Sequence, residues 1–444
     1  MRQDRLHAVR VAGPAIGRLG YIGVLALATL VPFGFDPELS QIVLRLQRAL
    51  EPTMSASDAV DGARNIVLFA GWGALWAATS RSQRTLALIG AGLSGVGLSI
   101  LFESLQLLSI TRNASLLDVL TNTTGALAGA TAILTFTAAL RAARGRRSFV
   151  GIPAFTFASA YFVAALLEAV FPVLRQTVLP GAQGGPLARL AVSLQHFEVG
   201  SILAIPWFDI VLVAPAGAFA VAALVEASRG YATAAWLTVL GGSLLMILAE
   251  LAHGPLGQSI QLGAIVSHVA GLAVGAWAAA WFLPRLSRRL RGPDRPLVLL
   301  VLYAALVLLW VWRPFLPDID LQAIAAQLSL GRLVPLRSLG DRMDLYSVAD
   351  VAELFLLFLP LGSLLAVWPL ERRGAWSFFL PALYLAIGIE LGQIFLAERY
   401  FDVTDILVAG SGAVIGWLVT RRAGFAPYGE IRQAWTIPRR LDPQ

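Results

Sequence analysis

Long apolar runs follow one another along the whole chain, and short polar segments separate them. Charge-free stretches such as 19–35, 85–101 and 296–312 approach the ~17–25 residues with which a helix crosses a hydrocarbon core. A transmembrane β-barrel would instead show short alternating segments. The pattern therefore predicts an all-α, polytopic transmembrane helical bundle of about 12 helices. The predicted spans are 19–35, 64–80, 85–109, 116–140, 154–174, 201–226, 232–252, 262–283, 296–316, 349–370, 376–397 and 403–420.

The composition excludes a water-soluble fold. Hydrophobic residues make up 57% of the 444 positions, charged residues only 14%, and the mean hydropathy is +0.72, whereas a soluble domain is about 25% charged. Cysteine is absent, which excludes disulfides and thiol chemistry. The 34 basic residues are all Arg and lie between the apolar runs, so we expect no nucleic-acid partner.

The distribution of arginine predicts the orientation. The N-terminus, the even-numbered loops and the C-terminus hold 23 Arg, and the odd-numbered loops, together with Arg64 and Arg313 near the ends of the adjoining spans, hold 11. By the positive-inside rule, both termini are cytoplasmic. The basic N-terminus also fits a secretory signal, but an uncleaved first helix is favoured because a similar helix begins each of two later units.

A series of polar and small residues occurs twice at one fixed displacement. Its first copy consists of Glu103, Gln106, Arg112, Asp118, Gly125 and Gly129, and its second copy of Glu390, Gln393, Arg399, Asp405, Gly412 and Gly416. Each pair is 287 positions apart. Upstream, Asp61, Phe69 and Gly73 match Asp350, Phe358 and Gly362 at a displacement of 289.

The middle of the chain carries a weaker third copy. It consists of Asp209, Pro215, Gly217, Glu250, His253, His268, Gly271 and Gly275. The sequence therefore predicts three four-helix repeats, at 1–148, 149–292 and 293–444, with the middle one degenerate. Three units argue against the two-by-six plan of many transporters. The glycine pairs have the spacing that lets helix backbones pack closely.

The series Asp-x3-Asn-x3-Phe, followed by Glu-x2-Gln-x5-Arg-x5-Asp-x3-Asn-x2-Gly-x3-Gly, resembles the VanZ-like family of bacterial membrane proteins. The first unit carries it in Asp61, Asn65, Phe69, Gly73, Glu103, Gln106, Arg112, Asp118, Asn122, Gly125 and Gly129. In the last unit Leu354 and Ala409 replace the two Asn, whereas Pro360 and Asp402 match. The resemblance implies a bacterial inner (cytoplasmic) membrane protein. Because the founding member is associated with teicoplanin resistance, it also implies a link to glycopeptide resistance.

The polar residues predict a ligand-binding site at the extracytoplasmic helix ends. With cytoplasmic termini, the third helix of each unit runs outward and the fourth returns, and the three-residue spacing of Glu103 and Gln106 places both on one helical face. The candidate ligand-binding residues are Asp61, Asn65, Glu103, Gln106, Arg112, Asp118, Asn122, Glu390, Gln393, Arg399, Asp402 and Asp405.

Three interpretations of these residues remain open. In the first they are clamps between helices, in the second a polar headgroup site, and in the third the groups of acid–base catalysis. The clamps would pair Arg112 with Glu103 or Asp118, and Arg399 with Glu390 or Asp405.

Glu250, His253 and His268 have metal-ligand chemistry, since Glu-x2-His with a second His can hold a metal within a bundle. However, His253 and His268 occupy the positions of Gln106 and Asn122 in the first unit, so each replaces an amide. We expect neither a metal nor a cofactor.

The leading hypothesis is a non-enzymatic protein that binds or protects membrane lipids or lipid-linked glycans of the cell envelope at the outer leaflet. An enzyme that acts on a lipid-linked substrate through a Glu/Asp pair is the alternative, and a transporter the second alternative. Segments 38–50, 186–197 and 320–338 mix apolar and polar residues as interfacial helices do. They form either a stabilising collar or a lid over an outer-leaflet pocket.

Overall fold

A computed structural model describes most of the chain. The described residues are 2–30, 34–36, 38–50, 56–111, 114–146, 148–170, 179–181, 185–204, 207–289, 294–313, 315–318, 324, 333, 335, 345–368, 379–397 and 399–425. In these residues the fold is all-α, as the apolar runs predict, and backbone pairing of the β type is confined to three isolated bridges.

The described residues form fifteen α-helices, and twelve of them overlap the predicted spans. In the first half they are α1 (Arg2–Leu30), α2 (Leu39–Leu50), α3 (Ala56–Thr79), α4 (Arg84–Gln106), α5 (Leu116–Ala143), α6 (Phe155–Val170), α7 (Pro186–Gln195) and α8 (Trp207–Glu226). The remainder are α9 (Tyr231–Leu251), α10 (His253–Leu256), α11 (Leu262–Arg289), α12 (Asp294–Val311), α13 (Leu345–Val367), α14 (Phe379–Gln393) and α15 (Val403–Arg422).

Seven of the described helical segments are long and apolar enough to cross a membrane. They are Arg84–Gln106, Leu116–Ala143, Trp207–Glu226, Tyr231–Pro255, Leu262–Ser287, Ala349–Val367 and Val403–Arg422. Shorter apolar helices occur at Ala15–Leu30, Phe155–Leu167, Arg295–Val311 and Phe379–Gln393. The chain is therefore a helical membrane protein. The arrangement of twelve helices in three repeats stays a prediction.

Several helix ends differ from the predicted spans, and the backbone gives a reason for three of them. Helices α1 and α4 end at Leu30 and Gln106, short of the predicted 35 and 109. The apolar residues beyond them leave the helix and pair instead, since the Asp36 amide donates to the Leu108 carbonyl at 2.9 Å and the Ile110 amide to the Gly34 carbonyl at 2.8 Å. Helix α8 begins six residues late because a 3₁₀ helix, Val199–Ala204, precedes it.

The chain divides into two compact units. Unit 1 comprises 1–139, 314–355 and 386–411, and its core packs α1 against α3 and α4 through Leu25, Phe69, Trp72 and Phe102. Helices α3 and α5 touch backbone to backbone, because a side chain at Gly73 would overlap Ala126 and one at Gly129 would overlap Ala70. The predicted role of Gly125 and Gly129 in close packing is confirmed in this unit.

Unit 2 comprises 140–313, 356–385 and 412–444. It repeats the same kind of contact twice: Gly275 of α11 lies against Ala214 of α8, and Gly416 of α15 lies against Leu359 of α13. Between α6, α8 and α12 an aromatic core forms from Phe157, Tyr161, Phe219, Tyr303 and Trp310. Glycine thus allows some helix pairs to pack closely, whereas aromatic side chains fill the wider space between α6, α8 and α12.

Two of the three predicted interfacial segments form helices. Helix α2 exposes Leu39 and Val43, and helix α7 exposes Leu187 and Leu194. Large exposed apolar side chains on short helices are typical of an interfacial position. Nearly all of the third segment, 320–338, lies outside the described residues.

Candidate functional site

Glu103 joins the end of one helix to the start of the next. It lies in the last turn of α4, is 9% exposed, and its Oε2 accepts the Ser115 amide N–H at 2.8 Å. Ser115 immediately precedes α5, and its hydroxyl oxygen accepts the Leu117 amide at 3.1 Å. Helix N-termini leave amides without intrahelical partners and favour negative charge, so Glu103 acts as a cap supplied by the preceding helix.

Glu390 makes the equivalent contact. Its side chain is 2% exposed in α14, and its Oε2 accepts the Asp402 amide N–H at 2.8 Å. Asp402 immediately precedes α15, and its Oδ1 accepts the Thr404 amide at 2.7 Å. Glu390 and Asp402 therefore stand in the structure as Glu103 and Ser115 do, and each lies 287 positions after its counterpart.

The middle of the chain contains a third contact of this type. Glu250 Oε1 in α9 accepts the amide of Gln261 at 2.8 Å, and Gln261 immediately precedes α11. His253 Nδ1 lies 3.4 Å from the same carboxylate oxygen. Among the described residues, no group of three or more His, Asp and Glu side chains is placed to hold a metal ion.

The amide side chains connect helices. Gln106 Nε2 donates to the Thr29 carbonyl at 3.0 Å, which links α4 to the end of α1. Asn122 Nδ2 donates to Ser99 Oγ at 2.8 Å, which links α5 to α4. Gln393, the counterpart of Gln106, is also buried. These residues face the interior of the helix groups, as their spacing predicts.

Additional charges surround the two glutamates. Asp118, in the first turn of α5, lies close enough to Glu103 to repel its carboxylate. Asp402 and Asp405 lie similarly near Glu390, and Arg399 is close enough to attract it. The proposed partnership of Arg399 with Glu390 thus has an electrostatic basis.

Arg112 lies outside the described residues. Two other predicted residues, Asp61 and Asn65, lie on α3, outside the contacts described above. Asp61 forms an ion pair with Arg64, one turn further along α3, at 3.2 Å. Asn65 is half-buried on the same helix. The start of α3 nevertheless runs beside α5, because Gly62 lies against the Thr121 side chain.

Sequence reasoning missed Asp36 and Arg45. Arg45 of α2 forms an ion pair with Asp36, Nη2 to Oδ2, at 2.9 Å, and its Nη1 donates to the carbonyls of Asp36 at 3.2 Å and Leu107 at 3.1 Å. Arg45 therefore fastens α2 to the end of α4, one turn beyond Glu103. A signal was present: Pro32, Phe33 and Asp36 recur as Pro314, Phe315 and Asp318, but 282 positions apart instead of 287.

The recurrence of Asp36 extends to the backbone. Pro317 pairs with Leu396 as Phe35 pairs with Ser109, both antiparallel. The Asp318 amide donates to the Phe395 carbonyl at 2.9 Å, as the Asp36 amide does to Leu108. Each group thus contains a buried carboxylate, a helix N-terminus and a paired loop at one end of its helices. Such an end is chemically suited to hold the polar head of an amphiphile.

The comparisons with known proteins support this repetition. The model of the VanZ/LLP1 family matches residues 18–137 and 300–424, which is more than half of the chain. Both matched segments contain a glutamate that caps the next helix. No curated protein and no solved structure matches the chain.

Proposed function

Because the chain belongs to the VanZ/LLP1 family, we propose that it is a bacterial inner-membrane protein built from three four-helix units. The unmatched middle segment supports a third unit, because Glu250 and Gln261 repeat the contact of Glu103 and Ser115. The glycine contact of Gly275 with Ala214 likewise repeats that of Gly129 with Ala70. The excess of 23 Arg over 11 supports cytoplasmic termini.

In this orientation the glutamates face the outer leaflet, and the protein binds the headgroup of a lipid or a lipid-linked glycan there. The observation that carries this proposal is that each glutamate has a second carboxylate beside it. Asp118 lies near Glu103, and Asp405 and Asp402 lie near Glu390. Capping a helix needs one acceptor, and a neutral amide supplies it without a buried charge. A carboxylate costs ~2.5–3.5 kcal/mol at a membrane helix centre and less near the interface, and a neighbouring carboxylate adds repulsion.

A bound ligand would offset this cost. Ammonium and hydroxyl groups of a phospholipid or an amino sugar donate to carboxylates, and Arg399 beside Glu390 provides a cation for a phosphate. The acidic residues therefore fit a headgroup that presents donors, with a phosphate nearby.

The rim of the first site favours an amphiphile over a water-soluble ligand. Phe35, Ile110 and Leu116 are 61%, 65% and 54% exposed. Leu116 directly follows Ser115, whose amide is bound to Glu103. Apolar side chains exposed beside a polar centre match a ligand with a polar head and acyl chains. Resistance to a lipid-bearing glycopeptide antibiotic is the phenotype we expect if the bound lipid is the drug's target.

Mass spectrometry of co-purified lipids tests the proposal. The full chain and a Glu103→Gln, Glu390→Gln double variant are purified in the same mild detergent, and the retained lipids are compared. Glutamine keeps an oxygen for the Ser115 and Asp402 amides, so the variant retains both caps while it loses both charges. Glu226→Gln is the matched control. Its carboxylate also accepts backbone amides, those of Phe149 at 2.8 Å and Ala154 at 2.6 Å, but it lies at the last residue of α8, outside both sites.

We expect one class of envelope lipid to be enriched with the native chain and with Glu226→Gln, and to be lost from the double variant. Equal lipid profiles for all three proteins would refute the headgroup site. The carboxylates would then serve only as interhelical caps.

A further inference from the structure

A second charged site of opposite sign lies in unit 2, where α5 and α15 end. Arg141 Nη2 donates to the backbone carbonyl of Arg422 at 3.2 Å. The guanidinium groups of Arg141 and Arg422 are close enough to repel each other. The guanidinium of Arg144 lies against Gly424, in the space that a side chain there would occupy. Three arginine side chains therefore converge on the last turn of α15.

The local backbone explains why the third guanidinium can approach. Gly424 ends α15 in the left-handed conformation, with φ +87°, and the Phe425 amide donates to the Thr420 carbonyl at 3.3 Å. This is a glycine-terminated helix end, in which the chain turns sharply and amides beyond the helix bind the carbonyls of Thr420 and Arg421. The missing Cβ of Gly424 leaves room for Arg144.

The partial negative charge at the end of α15 offsets only a part of the positive charge around it. The C-terminus of a helix carries about half of a negative elementary charge, whereas Arg141, Arg144 and Arg422 carry three positive ones. Arg421 lies exposed next to the group and adds a fourth positive charge. Guanidinium groups bind phosphate through paired N–H donors.

We propose that Arg141, Arg144 and Arg422 form a binding site for the phosphate of a dianionic lipid headgroup. This site is separate from the carboxylate sites and does not depend on them. A lipid is its source because α5 and α15 are both membrane-spanning by length and hydropathy. Buried Leu140 and Val419 lie within one turn of Arg141 and Arg422, so the arginines follow directly on the apolar part of each helix. A phosphate held there has its acyl chains beside the spanning helices.

Native mass spectrometry of the full chain in detergent tests this site. Phosphatidic acid, phosphatidylglycerol and phosphatidylcholine carry about two, one and zero net charges, and each is titrated against the protein. We expect affinity to fall in that order and to weaken with salt, because the attraction is electrostatic. Each basic residue near an anionic surface contributes about a factor of five. We therefore expect Arg141→Gln with Arg144→Gln to weaken phosphatidic acid binding about 30-fold, and Arg144→Gln alone about fivefold.

The matched control is Arg81→Gln with Arg229→Gln. Both arginines are exposed; Arg81 follows α3 and Arg229 follows α8. If the predicted spans cross the membrane in turn, α3 and α8 end on the same membrane face as α5. This control removes the same number of charges without touching the cluster. The proposal is overturned if the control weakens binding as much as Arg141→Gln with Arg144→Gln, if the three lipids bind equally, or if inorganic phosphate displaces phosphatidic acid at equal concentration.

Discussion

The cap that Glu103 provides to α5 makes a quantitative prediction about its replacement. Glu103→Ala leaves the Ser115 amide, which now has its acceptor 2.8 Å away, without a protein partner. Leaving a buried donor unsatisfied costs about 1–3 kcal/mol. The alanine variant also removes a nearly buried carboxylate, which is favourable, so its absolute stability is not the informative quantity. Glu103→Gln removes the same charge and keeps the acceptor, and the difference between the two variants isolates the hydrogen bond.

We therefore expect Glu103→Ala to be less stable than Glu103→Gln by about 1–3 kcal/mol. The assay is equilibrium unfolding in mixed micelles, followed by tryptophan fluorescence, since the chain contains 12 Trp. A difference below about 0.5 kcal/mol would refute the cap, because a neutral hydrogen bond already contributes about that much. If both variants were equally and strongly destabilised, the negative charge of Glu103 would be essential, and an ionic partner would replace the amide as the explanation.

Two further predictions use the same unfolding assay. Gly129→Ala is expected to lower the free energy of unfolding by about 1–3 kcal/mol, because the new methyl overlaps the Ala70 carbonyl. Gly97→Ala is the control: a methyl there has no neighbour within 4 Å, so this variant should be neutral or stabilising. Equal losses of stability in the two variants would contradict the close helix contact. Glu250→Ala is expected to be less stable than Glu250→Gln by about the margin seen at Glu103, because its carboxylate holds the Gln261 amide. Indistinguishable Glu250 variants would remove the main support for a third unit.

Apolar runs predicted where the helices lie but not where every helix ends. The predicted spans 19–35 and 85–109 continue past Leu30 and Gln106 because the following residues are also apolar. Their backbone groups are satisfied by each other instead of by the helix, as in the pairing of Phe35 with Ser109. Hydropathy measures the side chains and contains no information about which carbonyl an amide finds.

The same limit applies to the candidate site. Sequence spacing placed Glu103 and Glu390 correctly at the ends of their helices, and the charge of each suggested an arginine as partner. The partner that the structure gives is a main-chain amide, of Ser115 or Asp402. A main-chain group is the same for every residue type except proline, so no residue pattern reports it directly. The indirect signal was the capping residue itself, since Ser and Asp are preferred before a helix.

This distinction explains how the middle segment can keep the architecture while it departs from the family pattern. A helix cap requires only an acceptor at the right distance from the next helix, and Glu250 supplies one for Gln261. That contact does not involve the third residue of the following helix. This residue is Asp118 in α5 and Asp405 in α15, but Ala264 in α11. The glutamate that joins two helices is thus common to all three segments. What the middle segment lacks is the aspartate in the first turn of the following helix, which is the second carboxylate of each proposed headgroup site. Glu→Gln at Glu103 and Glu390 should therefore lower lipid retention and keep the caps, whereas Glu→Ala should also lower the stability.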